Sequence, residues 1–155
     1  MTEKSSSFIP TRRTGFSWDQ EFKPRTKDIE DYLVRIVGSK NEISNKEVFM
    51  LCLAMGFHFD KIRPRPPRTT DAVRLSAVKD HEFAIMKSVA LAKTKDYKIL
   101  LDEDRMYDIV EEFAAGGLEI LVTLMDSKPD FQNYLIKLLY EQAKIQSTNF
   151  GSNLE

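Results

Sequence analysis

A chain of 155 residues with 42% apolar content suits one domain that folds without a covalent staple. A formal net charge of -1 excludes any argument for a partner from overall charge, and the lone Cys52 excludes an internal disulfide. No stretch approaches the ~20 apolar residues of a membrane helix, and no apolar run of signal-peptide length opens the chain, so a cytoplasmic protein is the expectation.

Residues 1–25 are polar, broken by Ser, Gly and Pro, and carry scattered aromatics. They read as a flexible basic arm that docks later through Trp18 and Phe22. TKDIEDYLVRIVG, 26–38, predicts the first helix. Ile29, Tyr32, Leu33, Ile36 and Val37 follow a 3.6-residue period, Thr26 serves as N-cap and Gly38 as stop. ISNKEV, 43–48, predicts the next start: Ser44 and Glu47 form a capping box, and Ile43 and Val48 a hydrophobic staple. That helix is expected to stop at Gly56. Apolar on nearly every side, it reads as the central, most buried helix.

Residues 57–78 contain KIRPRPPRTTDAVR, with three prolines, four arginines and a lysine. Proline lacks an amide hydrogen and disfavours helix in its predecessor, so a long loop is predicted. Its flanks, 57–62 and 72–75, are candidate strands of a small β-hairpin. A helix over 80–94 follows, capped by Asp80, with Phe83, Met86, Val89 and Ala90 as its stripe. Asp102 opens another over 102–115, whose early acids suit the positive end of the helix dipole. Gly116-Gly117 is expected to break it, since two adjacent glycines cost a helix interior roughly 2 kcal/mol. Residues 118–126 then form a short apolar segment. The last helix is predicted from the Ser127–Asp130 cap signal, Pro129 and the face Phe131, Tyr134, Leu135, Leu138 and Leu139. Residues 147–155 read as a polar tail. The fold class is therefore mainly α: a single-domain orthogonal bundle of five to six helices over 26–146.

Catalytic signals are thin. His58 and His81 flank the loop without metal-ligand spacing, and a pair of packed or surface imidazoles is the simpler reading. A small hydrolase would need them to share a cleft with carboxylates. Cys52 lies in an apolar helix and reads as a small buried hydrophobe. The acids between Asp102 and Glu112 read as a solvated helix face. AAGGLEI lacks the residues of a phosphate-binding loop. No catalytic residue, metal or cofactor is assigned.

Charge is uneven along the chain. Residues 57–79 carry net +4, residues 1–27 net +3 and residues 96–130 net -7. Arginine's planar fork suits phosphate, and prolines stiffen a loop that presents it. Arg12, Arg13, Lys61, Arg63, Arg65, Arg68 and Arg74 are thus candidate sequence-independent contacts to DNA phosphates. Two other readings stand beside this one. The basic loop folds onto the chain's own acidic helix, or RPRPP serves as a proline-rich ligand for an aromatic groove.

NKEVFMLCLAMGFHFDK with its arginine–proline sequel, the Ala-Leu-Ala helix and connector, and the FAAGGLEIL junction together resemble the small accessory proteins found with bacterial DNA phosphorothioation (Dnd) systems. The resemblance covers about 26–142. It implies a non-enzymatic role beside DNA sulfur modification or the linked restriction of foreign DNA, and carries over no active-site residues. The function expected is an accessory protein contacting DNA through the basic loop. The alternative is an adaptor docking a larger catalytic subunit of the same system.

Overall fold

The computed structural model describes residues 8–37, 42–64, 68–127 and 130–151. The class is mainly α, as expected. Among the described residues stand α1 (Thr26–Val37), α2 (Asn45–His58), α3 (Asp80–Thr94), α4 (Glu103–Ser127) and α5 (Phe131–Gly151). Two antiparallel strands, β1 (Gly15–Asp19) and β2 (Arg68–Arg74), make a small sheet. The chain divides into two compact units, Met1–Val122 and Thr123–Glu155. The residues expected to form an arm up to 25 therefore belong, where described, to the first unit.

The sheet differs from the hairpin anticipated within 57–75. Residues 57 and 58 remain in α2, and β2 pairs instead with β1, matching Gly15 with Arg74 and Phe16 with Val73. The reason lies in the side chains that β1 contributes. Phe16 stacks on Phe49 at 5.1 Å and meets Tyr107 edge-on at 5.2 Å, while Trp18 meets Phe49 at 5.4 Å. Phe16 and Trp18 are buried, as the docking role of Trp18 required. Pairing with β1 thus sets these rings against α2 and α4.

α2 starts where its capping box predicts. The Ser44 hydroxyl accepts from the Glu47 amide at 3.4 Å, and the Ser44 amide donates to the Glu47 carboxylate at 2.7 Å. Hydrogen bonds from the Ser44 amide and then its hydroxyl hold the Glu47 carboxyl below its ordinary value. Ser44→Ala is expected to cost about 1 kcal/mol. Because Glu47 titrates lower in the folded state, its contribution is complete above the unfolded value of about 4.3 and is lost as pH falls through the folded one. Urea melts should show wild type more stable than Glu47→Gln at pH 7, with the gap narrowing as pH falls below the ordinary carboxylate range.

Two breaks expected at glycine do not occur. α2 runs through Gly56 to His58, and α4 runs unbroken through Gly116-Gly117. These glycines mark close approaches of backbone. A Cβ on Gly56 would overlap the carbonyl oxygen of Phe113, one on Gly117 that of Cys52, and one on Gly116 that of Lys61. The propensity penalty of the pair is offset by packing that any side chain would block. The loop continues this contact, with the Arg63 amide donating to the Glu112 carbonyl at 3.0 Å.

α4, rather than α2, is the most buried helix: thirteen of its residues are buried, against six in α2. Asp102 caps it, accepting from the Arg105 amide at 3.0 Å. α3 spans the predicted residues, although its cap position is Lys79, whose amide donates to Glu82 at 2.7 Å. Thr26 is the first residue of α1, and its hydroxyl donates to the Lys23 carbonyl. In the second unit, Ser127 ends α4. Asp130 caps α5 instead, accepting from the Asn133 amide at 3.4 Å. α5 continues to Gly151, beyond the tail boundary expected at 147. Gly38, Pro129, residues 1–7 and residues 152–155 lie outside the described residues.

Candidate functional site

Arg13 packs against α4. Its side chain is 8% exposed and reaches three carboxylates of α4. One terminal nitrogen donates to Asp108, the other lies 3.3 Å from Glu111, and Nε lies 3.8 Å from Asp104. Glu111 is itself buried, and its other oxygen accepts the Ser17 amide of β1 at 3.0 Å. Thr11 extends the seam, donating from its amide to Glu103 at 2.8 Å and from its hydroxyl to Asp104. The Ile9 amide donates to the Leu101 carbonyl at 2.7 Å. The acids read as a solvated face are therefore the strip on which residues 9–17 lie. Their partners sit about ninety positions away in sequence, which is why helical spacing alone suggested water.

Arg63 forms a second hub. Its Nε lies 2.7 Å from Asp19, a terminal nitrogen donates to Glu21, and Glu119 stands at 3.8 Å. The guanidinium also covers the Phe22 ring at 4.6 Å, so Phe22 docks as anticipated. Lys61 pairs with Glu119 at 3.5 Å. Arg12 and Arg74 are exposed. Arg65 lies outside the described residues, as does the side chain of Arg68. The loop thus lies against its own acidic helix at Lys61 and Arg63, and Arg13 reaches the same helix from the arm.

A feature that sequence reading missed lies on the other side of α2. Met50, Leu51, Leu53, Ala54 and Phe57 face Ala84, Ile85, Ser88, Val89 and Ala92 of α3 across a groove of about 810 Å³. Phe57 is 41% exposed and Ile85 48%. The signal is present in the all-round apolarity of α2, which by itself predicts the most buried helix.

Over residues 25–154, the chain matches the family model of DNA sulphur modification system-associated protein 4. It belongs to that family. The match takes in the stretch on which the resemblance rested and continues beyond it. No curated protein and no solved structure matches.

For this member of the family, the remaining candidates for chemistry are structural or exposed. Cys52 is buried in α2, and burial pushes its thiol well above the ordinary value, away from the reactive thiolate. His58 stacks edge-on with Phe59 near the end of α2, and His81 is exposed in the first turn of α3. Among the described residues, no group of His, Cys, Asp or Glu could hold a metal ion. No helix among them is long and apolar enough to cross a membrane.

Proposed function

We propose that this chain is a non-enzymatic adaptor of a DNA sulfur-modification system, joined to another protein of that system. The observation that carries this reading is the neutralisation of Arg13 and Arg63, each set among three carboxylates of its own chain. A guanidinium held in this way would have to break its internal pairs before meeting a phosphate. What is left open for a protein partner is apolar surface on α2 and α3, of the kind that marks association sites.

The exposure of Arg12 and Arg74 favours a second reading, in which these two, with Arg65 and Arg68, contact DNA phosphates. A salt titration separates the readings. The four phosphate contacts of that reading give a slope of about -3.6 in log K against log salt. We expect a DNA duplex to bind weakly with a much shallower slope, while a complex with another purified protein of the system persists at high salt in size-exclusion chromatography. Tight, steeply salt-dependent duplex binding that Arg12→Ala and Arg74→Ala abolish, with no protein complex, would establish the DNA reading instead.

A further inference from the structure

Between α3 and the start of α4 lies a pocket of about 310 Å³, lined by Asp80, Phe83, Lys87, Glu103 and Tyr107. Asp80, Phe83 and Lys87 stand at i, i+3 and i+7, on one face of α3. Glu103 and Tyr107 stand at i and i+4 on α4. All five belong to the first unit. Small-molecule sites run from roughly 300 to 1,000 Å³, so this one suits a single small ligand.

Tyr107 is the residue that marks the pocket as a site. It is 4% exposed, meets Phe16 edge-on at 5.2 Å and lies 6.4 Å from the Phe83 ring. Its ring is thus part of the core. Among the described residues, its hydroxyl has no hydrogen-bond partner. The hydroxyl of a buried tyrosine normally finds one. Burial first, and Glu103 next, hold its pKa above the ordinary phenol value, so the hydroxyl keeps its proton and donates. The acceptor must come from what enters the pocket.

The charges around that hydroxyl are of both signs and are not paired with each other. Among the described residues, the side chains of Asp80 and Lys87 form no hydrogen bond and no ion pair. Glu103 is held at one oxygen by the Thr11 amide at 2.8 Å. An incoming simple anion would meet two carboxylates, and a simple amine would meet Lys87. A molecule carrying both charges satisfies the whole set, with charge-assisted hydrogen bonds at each end. Phe83 offers an apolar ring to any side chain between them.

We propose that this pocket binds a small zwitterion of the α-amino acid class, its ammonium on Asp80 and Glu103 and its carboxylate on Lys87 and the Tyr107 hydroxyl. The site is independent of the adaptor reading. The test titrates the full chain with L-alanine, L-leucine and L-phenylalanine and follows amide shifts by NMR. For the tightest of the three, the matching amine without a carboxylate and the matching acid without an ammonium are titrated alongside. The amino acid is expected to bind at least about tenfold more tightly than either half, because each half leaves a charged hydrogen bond unmade. Shifts should centre on 80–87 and 103–107. Lys87→Met should bring the amino acid down to the level of its amine, and Asp80→Asn should weaken the amino acid more than the acid. Tyr107→Phe should weaken binding about fivefold without lowering the melting temperature, since the hydroxyl has no partner within the fold. A tyrosine with only a structural role would lose stability and keep its affinity. If either half binds as well as the amino acid, or if the three variants bind as wild type does, the zwitterion assignment is overturned. If none of the three amino acids binds, or the shifts lie elsewhere, the pocket is not a site.

Discussion

Gly117→Ala is expected to lower the stability of this chain by about 2 kcal/mol or more, because it overpacks a backbone crossing. Helix propensity alone predicts the opposite sign, a gain of about 1 kcal/mol for alanine over glycine in a helix interior. The structure reverses that expectation. An added Cβ would lie 2.6 Å from the carbonyl carbon of Cys52 and 2.7 Å from the amide nitrogen of Gly56. Both are backbone atoms of α2, so no side chain can rotate away. α2 and α4 would have to separate, loosening the contacts of Phe49, Leu53, Phe113 and Leu118 in the core. Chemical denaturation followed by circular dichroism measures the change. An unchanged or raised midpoint would mean that the two helices do not cross at this point.

Arg13→Ala is expected to cost about 3 kcal/mol, the range for breaking a buried ion pair from one side. The substitution would remove the guanidinium that stands among Asp104, Asp108 and Glu111. Asp104 is half exposed and water screens it, so most of the effect comes from Asp108 and Glu111, which are 23% and 7% exposed. Arg13→Lys should recover only part of the loss, because an ammonium keeps the charge but not the fork. Adding Asp108→Asn and Glu111→Gln to the alanine variant should restore much of the stability. Glutamine still accepts the Ser17 amide, and the like charges are gone. Thermal melts of the four proteins provide the check. If Arg13→Ala melts with wild type, the arm is not anchored by this cluster.

Much of the helical frame was legible along the chain. Ser44 with Glu47, Asp102 before its acidic turn, and the limits of α3 depend on partners three or four residues away. Such signals are local, and the structure uses them where they stand. The sheet was not legible, because β1 and β2 are separated by two helices and pair through Phe16 and Val73. Glycine was read by its intrinsic cost, which favours a helix end. Gly56, Gly116 and Gly117 instead stand where another segment of backbone comes too close for a Cβ.

The candidate site divides in the same way. The types and places of the arginines were visible, and so was the acidic stretch that receives two of them. Which acid meets which arginine depends on how residues 9–19 and 61–63 lie against α4. The apolar circumference of α2 was visible too. How much of it meets water depends on the placing of α3 and α4.

The sequence by itself determined where most helices begin, since those starts follow from neighbours within a turn, and it showed that charge is segregated along the chain. Tertiary structure alone decided that glycines join helices instead of ending them, that Arg13 and Arg63 are neutralised from within, and that α2 keeps an uncovered face. Each of those outcomes depends on backbone and charge brought together from distant parts of the chain, where local periodicity carries no information.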